Sequence, residues 1–177
     1  MKFSSKKSTK ARLLAILATS VLVAAALVAC GQRYFQEAPT KVSNFKGQLV
    51  EGGISSYQAE KGQATLIVLT ASWCPGCRAE VPHLKKIDTE FAEQGLKILM
   101  VSEDDSPQAA LQYKKAAKIP WTTFHWNYEI MNALGNPGVI PVTYLVNAQD
   151  SIVRIDVGGF DEEVMRTLVG KLVGSRQ

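Results

Sequence analysis

The chain has 177 residues, 46% of them hydrophobic, with 20 Lys+Arg against 16 Asp+Glu and a formal charge of +4. Five of those bases, Lys2, Lys6, Lys7, Lys10 and Arg12, stand near the start with no acid among them, and without residues 1–29 the remaining 148 residues hold 15 bases against 16 acids, a net of about −1. The basic balance therefore gives no reason to expect a nucleic-acid partner, and what remains is long enough for one domain with its own core.

First in chain order comes that basic head, followed by an apolar run from Leu13 to Ala29, the layout of an export signal. As a helix the run is about 25 Å long, close to the thickness of a bilayer core. Where it stops, Leu27-Val28-Ala29-Cys30-Gly31 resembles a lipobox, the bacterial lipoprotein signal. The resemblance implies that residues 1–29 are a signal peptide and that Cys30 is acylated to become the first residue. The other reading is a retained membrane anchor with an incidental cysteine. Both place the rest of the chain in the cell envelope, facing the periplasm or extracytoplasmic space.

Residues 30–44 are polar and aperiodic, which suits a tether between a lipid and a domain. Residues 45–63 carry glycines among short apolar pieces and read as a hairpin or irregular lead-in. TLIVLT (65–70) and LKILMVS (96–102) are nearly continuous apolar runs, the mark of strands buried on both faces. Between them, Val81, Leu84, Ile87 and Phe91 recur at spacings of three and four, predicting a helix over about 75–93. Ser106-Pro107 reads as an N-cap and first-turn pair opening a helix to about Lys118. WTTFHW (121–126) reads as a short strand and YEIMNAL (128–134) as a short helix ended by Gly135. VTYLVN and SIVRIDV, joined by Ala148-Gln149-Asp150, form an antiparallel pair, and DEEVMRTLVGKL closes the chain as a helix. The order implies an α/β fold whose sheet is parallel on one side and antiparallel on the other.

Cys74 and Cys77 fall where the first buried strand gives way to a helix. There, unpaired backbone N–H groups and the positive end of the helix dipole favour a thiolate, the nucleophile of disulfide exchange. Pro75 fits the first helical position, where its missing N–H costs nothing. Cys77, one turn on, is the more shielded sulfur and is placed to resolve a mixed disulfide formed at Cys74. Two other readings compete with exchange. A structural staple closing so short a loop constrains little of the unfolded chain. A metal site lacks a second CxxC or a close histidine pair, since His83 and His125 lie far apart in sequence; no metal and no cofactor are expected. His83 is read as an exposed position and His125 as a packed or partly exposed strand residue. Trp121 and Trp126 are read as core or rim packing, or as lining for a partner groove, and Lys114, Lys115 and Lys118 as a solvated helix face.

Trp73-Cys74-Pro75-Gly76-Cys77 after a buried strand resembles the active site of the thioredoxin superfamily, and Pro82, Ile140-Pro141 and Gly158-Gly159 match further family positions. Cys77-Arg78-Ala79-Glu80-Val81-Pro82 is similar to the C-x-x-E-x-P of the secreted, membrane-anchored TlpA/ResA type, and residues 103–120 resemble its inserted strand–helix element. The resemblance implies a thioredoxin-like domain over residues 45–177: a central mixed β-sheet flanked by helices, with that insertion and an N-terminal hairpin. It implies a thiol–disulfide oxidoreductase, monomeric and free of cofactor, with Cys74 as nucleophile, Cys77 as resolving thiol, Pro141 in cis with Ile140 as substrate clamp, and Trp73 as a packing and docking surface. The partners implied are exported proteins bearing disulfides, apocytochrome c during haem attachment among them, and a membrane thiol–disulfide electron donor, with the lipid anchor holding the protein to the membrane. The direction implied is reduction. Two departures stand out: the central dipeptide is Pro-Gly where thioredoxins have Gly-Pro, and Val68 stands where many thioredoxins bury an acid. Glu80 is read either as a proton relay replacing that acid or as an ordinary first-turn acid suiting the dipole. The alternative function is a non-catalytic lipoprotein module whose CxxC is a static disulfide or binds metal. Nothing resembles the threonine-rich cysteine loop of peroxiredoxins.

Overall fold

The computed structural model describes residues 39–174. The expected signal peptide, Cys30 and most of the tether lie outside those residues.

Two short antiparallel strands, β1 (Lys46–Gln48) and β2 (Ile54–Ser56), make the N-terminal hairpin and lead into a one-turn helix, α1 (Tyr57–Glu60). The main sheet has five strands: β3 (Ala64–Thr70), β4 (Leu96–Ser102), β5 (Thr122–His125), β6 (Val142–Asn147) and β7 (Ile152–Val157). Their spatial order is β5-β4-β3-β6-β7. β3 pairs in parallel with β4, and β4 with β5, while β6 is antiparallel to both β3 and β7. The expected split between a parallel and an antiparallel half is therefore present, with β3 at the seam.

Every residue of β3 is buried, because both faces of the sheet are covered. Side chains alternate between faces, so Leu66 and Val68 join Ile98, Met100 and Leu145 on one side, and Ile67 and Leu69 join Leu99, Val101, Tyr144 and Val146 on the other. The first side is covered by α2 (Pro75–Phe91) and by the C-terminal helix (Glu162–Gly174). α2 contributes the predicted stripe Val81, Leu84, Ile87 and Phe91, each burial stabilising by roughly 1.5–3 kcal/mol. The second side is covered by Phe45, Tyr57 and Ile130, the last from a short helix over Tyr128–Ala133.

Ser106 caps the helix over Pro107–Ala116, its hydroxyl accepting from the Ala109 N–H at 3.2 Å. That helix and β5, which follows it, extend the parallel half of the sheet. Gly95 connects the turn after α2 to β4 with φ +108°, a conformation that strains any residue with a side chain. Among the three lysines, Lys115 and Lys118 are exposed as expected, but Lys114 is not part of a solvated face. Its ammonium pairs with Glu51 and donates to the Trp121 carbonyl at 2.6 Å, tying the helix to the N-terminal hairpin. Trp121 is buried in the core just before β5.

Candidate active site

β3 ends at Thr70, and the chain makes a tight turn, closed by the Cys74 N–H donating to the Ala71 carbonyl at 3.2 Å, before α2 begins at Pro75. Cys74 is the N-cap, in extended conformation, and its sulfur accepts the Cys77 N–H at 3.1 Å. It thus occupies the place where a serine or aspartate usually satisfies a free helix N–H. Cys74 and Cys77 are joined as a disulfide, with Cα atoms 5.3 Å apart. Both are buried, Cys74 at 6% exposure and Cys77 at 2%, so Cys74 presents only an edge to solvent.

The loop before β6 brings the other candidates to the pair. The Ile140–Pro141 peptide is cis. Ile140 packs against the cluster of Ala71, Cys74 and Cys77, and a Cβ on Gly76 would lie 3.4 Å from the Pro141 ring. The Pro141 carbonyl accepts the Gly158 N–H at 2.8 Å, fixing the loop to the end of β7. Trp73 projects outward and is 59% exposed. The structure thus gathers Trp73, Cys74, Cys77, Ile140 and Pro141 at one end of the sheet.

Glu80 is not a solvated first-turn acid. It is 7% exposed, three residues after Cys77 on the buried stripe of α2, and neither carboxylate oxygen makes a hydrogen bond of ordinary geometry. It faces the glycine pair after β7: a Cβ on Gly159 would lie 3.8 Å from its Oε1. Burial, reinforced by the negative charge of Asp156, pushes its pKa up to about 7, against the smaller opposite pull of His83 and the Phe160 backbone. Asp156 is gripped by Arg154 through two hydrogen bonds of 2.6 Å each. Val68 is buried on the same side of the sheet as α2.

The two histidines lie apart from the sulfurs' hydrogen bonds. His83 is half-exposed and its Nδ1 meets the Glu162 carboxylate at 2.5 Å, while His125 Nε2 meets the Asp104 carbonyl at 2.9 Å. Trp126 lines a cavity of about 460 Å³ with Glu103, Asp105, His125, Tyr128 and Met131, and stacks edge-on against Tyr128. Among the described residues no cluster of three or more His, Cys, Asp or Glu is arranged to hold a metal ion, and no helix is long and apolar enough to cross a membrane.

Sequence reasoning passed over Asp104. It is 2% exposed and its carboxylate is bonded to Ser72, two residues before Cys74. A charged residue just past the end of a buried strand looks like loop surface; only the parallel pairing of β3 with β4 brings it beside the motif.

A family model described as the AhpC/TSA family matches residues 38–155. Over 135 residues the chain is 24% identical to the thiol-disulfide oxidoreductase ResA of Halalkalibacterium halodurans, covering 75% of this chain and 76% of that protein. It is 31% identical over 118 residues to the thiol:disulfide interchange protein DsbE of Pseudomonas aeruginosa, covering 63% of this chain and 61% of that protein. Among solved structures, a thiol:disulfide interchange protein of the thioredoxin family from Chlorobium tepidum superposes with a TM-score of 0.68 at 23% identity, covering 79% of this chain and all of that one. The fold is thus thioredoxin-like.

Proposed function

Since the chain belongs to the AhpC/TSA family, we propose that it works as a thiol–disulfide oxidoreductase on disulfides of exported proteins, most directly as a reductant, with Cys74 as nucleophile and Cys77 as resolving thiol. The observation that carries this reading is the Cys74 sulfur at the mouth of α2, bonded to Cys77 and receiving its N–H, beside the cis Ile140–Pro141 peptide. The names of the ResA and DsbE relatives support it.

In the reduced protein the Cys74 thiolate attacks one sulfur of a substrate disulfide, forming a mixed disulfide and expelling the other sulfur as a thiolate. Cys77 then loses its proton and attacks Cys74, forming the internal disulfide and expelling the second substrate sulfur. Two electrons pass to the substrate, which gains two thiols. Glu80 serves as the proton relay for Cys77: one turn away on the same stripe and poised near neutrality, it can take up a proton and give it back. Ile140 and Pro141 form the clamp and Trp73 the docking surface beside it. A membrane thiol–disulfide donor returns the pair to its reduced form, and apocytochrome c during haem attachment is among the substrates such a site would serve. The test is turnover: the purified, reduced full chain should reduce insulin disulfides in the presence of a dithiol regenerant, and a chain that does not accelerate this reaction would reject the reading.

Residues 1–29 act as the signal peptide and Cys30 carries the lipid, leaving 30–44 as tether to the domain that follows, on the extracytoplasmic side. Labelling with a palmitate analogue is expected to tag the parent at Cys30 and to leave Cys30→Ala untagged, read by in-gel detection and by the mass of the mature N-terminus; a parent that carries no label and keeps residues 1–29 would favour a retained apolar anchor instead.

A further inference from the structure

We propose that Asp104 is a positioning residue for the nucleophile, acting through Ser72 to hold the turn that seats the Cys74 sulfur at the mouth of α2. The inference rests on the oxidoreductase reading above. A buried carboxylate is costly unless hydrogen bonds replace its water, and Asp104, 2% exposed, has no ion pair within reach among the described residues. Its oxygens are satisfied by two serines. The Ser72 N–H donates to both, at 3.1 and 3.2 Å, the Ser72 hydroxyl donates to Oδ1 at 2.5 Å, and the Ser102 hydroxyl donates to Oδ2 at 2.7 Å.

Asp104 is itself fixed to the sheet. Its N–H donates to the Ser102 hydroxyl at 3.2 Å, its carbonyl meets His125 Nε2 at 2.9 Å, and the preceding N–H, of Glu103, donates to the Thr70 carbonyl at 2.8 Å. Ser72 is the first residue inside the turn that the Cys74 N–H closes onto Ala71. Its carbonyl accepts Arg78 Nη1 at 3.4 Å from the first turns of α2. The carboxylate therefore holds the turn directly at Ser72 and the helix start through the bond of Arg78 to Ser72, while the backbone of Glu103 holds the last residue of β3 beside it.

This matters most in the reduced protein. While the disulfide is closed, Cys77 holds the Cys74 sulfur in place. Once it opens, only the turn geometry and the Cys77 N–H keep the thiolate where the helix end stabilises it. A loosened turn lets the sulfur leave that position and raises its thiol pKa. The negative charge of Asp104 taken alone would do the reverse, since removing a neighbouring anion favours a thiolate. Clamp and charge thus predict opposite signs.

The test is the rate at which iodoacetamide alkylates Cys74 in the reduced full chain, read by mass spectrometry across a pH series that gives the thiol pKa, and compared at a pH at least one unit below the parent's pKa. There the rate follows the thiolate fraction, so Asp104→Ala is expected to slow alkylation about tenfold, as a rise of one pKa unit gives, and Ser72→Ala, which removes the hydroxyl and leaves the N–H, about threefold. Asp104→Ala reacting at the parent rate or faster overturns the inference. If Asp104→Ala does not fold by circular dichroism, Ser72→Ala decides alone: slower alkylation supports the clamp and an unchanged rate overturns it. A parent chain whose Cys74 reacts no faster than a free cysteine would instead bring down the oxidoreductase reading, and this inference with it.

Discussion

Replacing Cys74 by serine is expected to reduce insulin-disulfide turnover to the uncatalysed background, a loss on the order of a thousandfold or more. The size follows from chemistry. A serine hydroxyl is essentially un-ionised at neutral pH, so the helix end has no anion to stabilise, and no mixed disulfide can form. Cys77→Ser should behave differently: Cys74 still attacks, but nothing resolves the product. The substrate should then accumulate bound to Cys74, visible as a larger band on a non-reducing gel that a reductant dissolves. The contrast separates exchange from a static staple, for which both substitutions would merely remove the same cross-link and cost similar, small amounts of stability, because the loop it closes is short. Activity persisting in Cys74→Ser would contradict the assigned nucleophile.

Glu80→Gln is expected to stabilise the protein at alkaline pH while slowing the resolving step. The folded carboxyl has a pKa of about 7 against an ordinary 4.5, so the native state binds more protons than the unfolded state between those values. Stability therefore falls as pH rises through that window, and above it the buried charge costs about 3 kcal/mol. Glutamine keeps the shape without the charge. Urea unfolding followed at about pH 5 and about pH 8 should show the parent losing stability between the two and the variant losing correspondingly less. The variant should also lose the rise in resolving rate that accompanies ionisation of Glu80, measured as decay of the mixed disulfide by stopped flow. Parent and variant with the same pH dependence in both measurements would mean that Glu80 is a packed acid with no part in proton transfer.

Much of this architecture was legible because it rests on local patterns. The apolar runs of β3 and β4 read as doubly covered strands, and they are. The stripe Val81, Leu84, Ile87, Phe91 named the buried face of α2, and Ser106 performs the capping its sequence context suggested. Extending that stripe backwards by the same spacing from Leu84 reaches Glu80 and Cys77, so the burial of Glu80 was available from the pattern, though its lack of hydrogen bonds was not. What the pattern hid depends on long-range pairing. Lys114 looked like one of three solvated lysines until its contact with Glu51 is seen. Tyr57 reads as lead-in, yet it opens a one-turn helix and its hydroxyl donates to Asp150, 93 positions on. Asp104 reads as loop, and its carboxylate finds Ser72 across 32 positions only because β3 and β4 run in parallel.

As an oxidoreductase of the proposed kind, the protein opens and closes its Cys74–Cys77 pair by thiol exchange while folded. The direct measurement is to equilibrate the full chain in detergent with mixtures of reduced and oxidised glutathione, trap free thiols with an alkylating reagent, and count the label by mass spectrometry. Reversible exchange predicts a smooth two-electron titration with one midpoint, reached from either the oxidised or the reduced side. A pair that stays closed at every ratio, or that once opened leaves Cys74 inaccessible to the reagent, would contradict it.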